Sequence, residues 1–240
     1  MRILFVFIFY FTNLILAQNI SDVHITNLRI EYKVNPIGIG VEQPRFSWEI
    51  TSKRRAVFQS AYQIRAAGSL EQLQSSKDLL WDTGKIESDQ SVHVVYQGPD
   101  LESAQRVYWQ VRIWDEQNGM SDWSKINFWE MGLLSPDDWQ VSWITPDIEE
   151  DISKSQACPM LRDEFKIDGE IESARAYVTS LGLYEMLLNG QHVGDQYFTP
   201  GWTSYRNRLQ YQVYDISSNL KTGQNAVGVI LGDGWYRGSI

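Results

Sequence analysis

A chain of 240 residues with 43% hydrophobic content and a mean hydropathy of −0.33 has material for one or two soluble domains with packed cores. Its 30 acidic and 21 basic side chains leave a formal net charge of −9, and the basic residues form no extended run, which excludes a phosphate-backbone binder and so nucleic acid as a partner. A single cysteine, Cys158, excludes an intrachain disulfide; placed between Ala157 and Pro159 with no His or Cys beside it, it reads as a buried or inert thiol.

The N-terminus has the layout of a secretory signal peptide. Arg2 supplies a positive charge, residues 3–11 are unbroken apolar sequence, and Ala17 ends the segment with a small residue before Gln18. Thr12 and Asn13 interrupt the apolar stretch, which is too short for a membrane span, and no Cys follows it to carry a lipid anchor. Residues 1–17 are expected to be removed, leaving a secreted or periplasmic chain with no membrane anchor.

Beyond it, short runs rich in Val, Ile, Tyr, Trp and Thr recur about every ten residues between Gly, Pro, Asn and Ser, the pattern of antiparallel sandwiches. Only 69–76 and 217–220 look helical. Strands are predicted at 44–48, 61–64 and 80–85. The clearest is 107–115, where Trp109, Val111 and Ile113 alternate with Tyr108, Gln110, Arg112 and Trp114, so that one face can enter a core. Asn118-Gly119 is a turn, and 121–124 is expected to return as the second strand of a hairpin. With its Trp-Ser pair, the stretch 22–132 resembles a fibronectin type III module.

From 133 to 157 the composition turns acidic and poor in apolar residues, which predicts a packed linker anchored by Trp139 and Trp143. Its acidic residues lack the Asp-x-Asp-x-Asp-Gly spacing of a calcium loop and read as a solvated charge run. Strands resume at 161–167, 174–178 and 184–188. Asn189-Gly190 is a hairpin turn, from which 193–198 is expected to return. Three further strands are predicted at 209–214, 226–231 and from Trp235 onward, with Gly223-Gln224-Asn225 separating the first two. The fold class read from this succession is all-β: two antiparallel β-sandwiches in tandem, the second, 158–240, incomplete.

The succession SLGLYEMLLNGQHVGDQYFTPGWTSYRNRLQYQVYD at 180–215 and GQNAVGVILGDGWYRG at 223–238 closely resembles the N-terminal accessory region of bacterial α-L-rhamnosidases. WDTGK at 81–85, YWQVRIWD at 108–115, SDWS at 121–124 and the Asp138-Trp139 and Trp143-Ile144 pairs match the module that precedes it in that family. The resemblance implies a parent enzyme that removes terminal α-L-rhamnose from glycans by inversion. It further implies that the catalytic carboxylates lie in an (α/α)6 barrel beyond the equivalent of Ile240. The expected partners are therefore a rhamnose-containing glycan and the parent's own C-terminal catalytic domain, with no catalytic residue in this chain.

No Gly-x-Ser-x-Gly elbow, phosphate loop or His-Glu-x-x-His motif is present, and His24, His93 and His192 lack a ligand spacing, so neither cofactor nor metal is expected. Most of the ten Trp are expected to fill cores. Two are candidates for sugar contact: Trp202 and Trp235 can offer flat faces to a pyranose ring, with Asp195, Asp233 and Arg237 bonding hydroxyls and Asn189 doing so if it leaves its turn. The alternative reading is a self-contained, non-catalytic carbohydrate-binding or adhesion module.

Overall fold

A computed structural model describes residues 20–149, 151, 154 and 156–237; the expected signal peptide at 1–17 lies outside them. The fold is all-β and divides into two compact units. The first comprises the chain up to Asn35 with Gln43–Asp100 and Arg106–Phe128; the second takes Pro36–Glu42, Leu101–Gln105 and everything from Trp129 onward. No helix among the described residues is long and apolar enough to cross a membrane.

The first unit contains β1 (His24–Ile30), β2 (Arg45–Thr51), β3 (Gln59–Ala67), α1 (Leu70–Ser75), β4 (Trp81–Asp82), β5 (Ile86–Glu87), β6 (Val94–Val95) and β7 (Arg106–Asp115), and β8 (Asn127–Glu130) carries the chain out of it. One sheet has the order β1-β2-β6; the other runs β4-β3-β7-β8, with β5 also on β3. The alternation in β7 is borne out, with Val107, Trp109, Val111 and Ile113 fully buried. β2 sends Phe46 and Trp48 inward by the same two-residue period. Phe46 meets Trp109 edge-on at 4.8 Å and Trp48 meets Tyr62 at 5.4 Å, so the two sheets share one aromatic core. Inside that core the Trp48 indole N–H donates to Gln59 Oε1 at 2.9 Å.

Two expectations for this unit are corrected. The strand expected at 80–85 is only β4, because Gly84 turns the backbone to φ +61°. No return strand forms at 121–124. There the hydroxyls of Ser121 and Ser124 accept from the Ile113 and Val111 N–H groups, so side chains take ladder positions that a strand's carbonyls would fill.

In the second unit, β9 (Met160–Ile167), β11 (Leu183–Leu188), β12 (Gln191–His192) and β14 (Gly223–Gly232) form a sheet of order β12-β11-β14-β9. β10 (Arg175–Val178) pairs with β13 (Gln212–Asp215) in a second sheet. Tyr184, Leu188, Val193, Tyr214 and Ile216 form the core, where the Tyr184 and Tyr214 hydroxyls lie 2.9 Å apart. The Asn189-Gly190 turn has φ +51° and +80°, the left-handed pair that a two-residue hairpin needs. Nearby, Arg175 grips Glu130 with two bonds of 2.8 and 3.1 Å and Asp215 with a third contact of 3.0 Å. Gly132 is required small because a Cβ there would run into the Tyr211 hydroxyl, which accepts from the Leu133 N–H.

Sequence composition misled at four places here. No strand forms at 193–198, where one was expected; the chain pairs back only through β12 at 191–192, since Gly194, at φ +82° and against the Tyr214 ring, turns it away. Gly223-Gln224-Asn225, expected to be a separator, begins β14 because it pairs with 165–167 of β9. Trp235 does not begin a strand. Gly234 at φ +49° ends β14, and the Asp233 carbonyl accepts from Tyr236 and Arg237, winding α2 (Gly234–Arg237). Cys158 is exposed rather than buried, because it precedes β9 in a stretch without regular structure.

Candidate functional site

A cavity of about 760 Å³ opens in the second unit, within the range typical of small-molecule sites. Its floor is the apolar face of β14 and β9, through Val229, Leu231 and Leu161. One wall is the end of β10 and the residues after it, 177–181; the opposite wall is the irregular stretch 139–146. That floor is available because every β14 residue from Ala226 to Gly232 is only half-buried, the two-stranded sheet leaving part of the four-stranded one uncovered.

Aromatic rings dominate the walls. Trp139 stands edge-on to Tyr211 at 5.3 Å, and Tyr177 tilts against the same ring at 6.4 Å. Two hydroxyls in these walls are not satisfied: Ser180 Oγ, on a residue 5% exposed, and Tyr177 Oη are both buried with no hydrogen-bond partner among the described residues. Burial, and then the nearby Glu130 charge, push the Tyr177 hydroxyl above its ordinary range. At the edge stand Asp233, Tyr236 and Arg237, where the Arg237 guanidinium donates to Asp233 Oδ1 at 2.6 and 3.0 Å.

Helix α2 links this edge to an aromatic platform. Trp235 stacks on Trp202 with centroids 6.1 Å apart and planes 16° apart, and Tyr236 meets Tyr205 at 5.4 Å. Trp202 and Trp235 remain 68% and 42% exposed, so faces not used in the stack are open to solvent. Four of the six candidate residues, Trp202, Trp235, Asp233 and Arg237, are thus gathered at one place.

The other two are not. Asn189 is held in its turn, donating to Asn219 O and Asn225 Oδ1 and accepting from the Ala226 N–H, so its amide has little left for a sugar. Asp195 is exposed and makes no hydrogen bond or ion pair among the described residues.

Trp143, expected to anchor the linker, is instead 64% exposed, and Trp81 packs against Phe46 and Tyr96. Trp48, Trp109 and Trp129 are fully buried. Trp114 and Trp123 lie on the surface of the first unit but are covered by cations: Arg112 sits over both, at 5.2 and 4.6 Å, with Lys85 over Trp114 and Arg65 over Trp123. Sequence reasoning missed Ser180, Tyr177 and Tyr211. No local pattern marks them, because 177–180, 211 and 139–146 are far apart in sequence and come together only in the fold.

Fold and cavity together define the class: a tandem β-sandwich protein whose second sandwich carries an aromatic-walled recess. The family model described as "Rha78A-like, N-terminal immunoglobulin domain" matches residues 25–135, and the one described as "Alpha-L-rhamnosidase N-terminal domain" matches 169–240. An α-L-rhamnosidase of Alteromonas sp. (strain LOR) is 40% identical over 223 residues, covering 90% of this chain and 24% of its own length. The solved α-L-rhamnosidase of Dictyoglumus thermophilum superposes with a TM-score of 0.84 at 36% identity, over 92% of this chain and 26% of that one. The enzyme of Aspergillus terreus gives 0.79 at 35% identity, over 89% and 24%. The chain belongs with the N-terminal domains of the α-L-rhamnosidase family, and spans about a quarter of the length of these relatives.

Proposed function

We propose that this chain is the N-terminal accessory part of a secreted α-L-rhamnosidase that removes terminal α-L-rhamnose from glycans by inversion. The observation that carries the reading is the ordered match of the family's two N-terminal domain models, at 25–135 and 169–240. An inverting glycosidase needs two carboxyl groups about 6.5–9.5 Å apart, one as acid and one as base. Asp233 is the one carboxylate among the described residues around the cavity, and it is ion-paired to Arg237. In this reading the accessory part is assigned no catalytic residue, and its partners are the rhamnose-containing glycan and the parent's C-terminal catalytic domain. Glycan contact is assigned to Trp202, Trp235, Asp233 and Arg237. The exposed Trp202–Trp235 stack also favours the second reading, a carbohydrate-binding module without any enzyme attached.

The test is release of p-nitrophenol from p-nitrophenyl α-L-rhamnopyranoside by the purified 240-residue chain and by the full-length gene product. The chain is expected to give no turnover above buffer and the full-length protein to give it. Turnover in proportion to the short chain would overturn the accessory role; an inactive full-length protein would favour the binding module. Secretion carries a separate expectation: mass spectrometry of the exported protein should find Gln18 at the N-terminus, and an intact Met1 would refute the signal peptide.

A further inference from the structure

We propose that the outer face of the first unit's β4-β3-β7-β8 sheet is a docking surface for an acidic polysaccharide, held by Arg65, Arg112 and Lys85. The two-residue period of β7 that buries Val107, Trp109, Val111 and Ile113 sends Arg112 and Trp114 to the opposite face. The register of β3 on β7 sets Gln63 opposite Arg112 and Arg65 opposite Gln110, on that same face. Trp123 is brought alongside by the bonds of Ser121 and Ser124 to β7. The result is an alternating row, Arg65, Trp123, Arg112, Trp114 and Lys85, with each cation 4.6–5.2 Å from the centre of the ring beside it. These residues are scattered in the sequence, so the row exists only in the fold.

The chemistry of the row selects the partner. Arg112 forms no ion pair among the described residues. Its Nε–H donates to Gln63 Oε1 at 2.9 Å, while its two η nitrogens have no hydrogen-bond partner there and neither is sealed from solvent. Gln63 is itself fixed, donating to Asp82 Oδ1 at 2.6 Å, so the guanidinium is held with its remaining N–H edge open, a fork suited to a carboxylate or a sulfate ester. Burial, and then the neighbouring Arg65 charge, hold Arg112 below its ordinary range, a cost that a bound anion would remove. The indoles are already faced by cations, so they orient charged groups instead of stacking on the ligand. A single-stranded nucleic acid would need uncovered rings for its bases. Neutral polar groups stand at both ends of the row: Ser76 Oγ accepts from Arg65 at 2.8 Å and Asn118 Oδ1 from Lys85 at 3.3 Å. The Ser76 O–H and the Asn118 amide N–H groups are left for sugar hydroxyls. In a chain of net charge −9, such a row attracts an acidic polymer that the rest of the surface repels.

The test is calorimetric titration of the 240-residue chain with an oligogalacturonate and with dextran sulfate, against neutral dextran. At least one acidic polymer is expected to bind, with a Kd on the order of 100 µM at about 50 mM salt and about tenfold weaker at about 200 mM; the tighter of the two identifies the acidic group. Arg112→Gln should weaken binding about tenfold and Lys85→Gln about threefold. Arg206→Gln, the same change of charge at an exposed position of the second unit, should leave the affinity as it was. Circular dichroism of the variants checks that the sandwiches are intact. No binding of either acidic polymer, equal binding of neutral dextran, or wild-type affinity in folded Arg112→Gln and Lys85→Gln would each overturn the surface. Equal weakening by Arg206→Gln would reduce the effect to bulk charge and overturn it too. Tighter binding of poly-L-glutamate or of single-stranded oligodeoxythymidylate would assign the row to another class of partner and overturn the polysaccharide.

Discussion

Replacing Asp115 by Ala is expected to destabilise the first unit by about 3–4 kcal/mol, read from the urea midpoint of its tryptophan fluorescence. The size follows from how much one buried carboxylate holds. Oδ1 accepts the N–H groups of Gln117 and Gly119, at 2.9 and 2.7 Å, fixing the turn after β7. Oδ2 takes the Ser21 hydroxyl at 2.6 Å and the Arg54 guanidinium at 2.6 Å, tying in the start of the chain and the loop after β2. Alanine leaves three of these donors without their partner, the buried Gly119 N–H and the part-buried bonds of Gln117 and Ser21; Arg54 keeps Asp22 and Glu116, so the cost comes mainly from the turn and Ser21. A loss below about 1 kcal/mol would show that water satisfies those donors and that Asp115 is not the clasp.

The same residue sets a pH dependence. Burial alone would raise the Asp115 carboxyl, but the bonds from Ser21, Gly119, Gln117 and Arg54 outweigh it and hold it below the ordinary carboxylate range. A group whose folded value is depressed adds stability above its unfolded value, about 3.9, and that stability drains away as pH falls through the lower, folded value. The wild-type first unit should therefore weaken steeply below about pH 4, and Asp115→Asn should flatten that part of the curve. An unchanged acid limb in Asp115→Asn would assign the acid sensitivity to other carboxylates.

The turn held by Asp115 shows where sequence reading succeeds and where it stops. Asn118-Gly119 marks the turn correctly, and Asn118 takes the left-handed φ of +59°. Gly119 is needed for a different reason: a Cβ there would lie 2.9 Å from Asp115 Oδ2, a clash with the carboxylate four residues back that the Asn-Gly pattern does not itself reveal. β7 was legible because a two-residue period with Trp, Val and Ile on one face has a single burial solution. The start of β14 was not, since Gly-Gln-Asn favours a turn until eight consecutive pairs with β9 override it. Within the candidate site, composition named Trp202 and Trp235 but not their stacking, which depends on α2 replacing the expected strand. Ser180 was out of reach, because a serine is remarkable only for a missing partner.

Gly182→Ala is the corresponding test in the second unit, with an expected loss of about 3 kcal/mol or more. Two penalties add there. The backbone sits at φ +92°, where an L side chain costs about 1–2 kcal/mol. A Cβ would also overlap the Gly232 carbonyl oxygen and lie 2.8 Å from that of Asp233, which overpacks backbone rather than a movable side chain and adds about 1–3 kcal/mol. Gly190 separates the two terms, since it has a similar φ of +80° but open space where its Cβ would go. Gly190→Ala should cost only the strain, so the difference between the variants, about 2 kcal/mol, measures the contact. The displaced backbone at 232–233 is also the entry to α2, so Gly182→Ala should loosen the Trp202–Trp235 stack, whereas Gly190→Ala should not. Equal losses of stability in the two variants would mean that conformational strain, and not the close approach of 182 to 232, dictates glycine at this site.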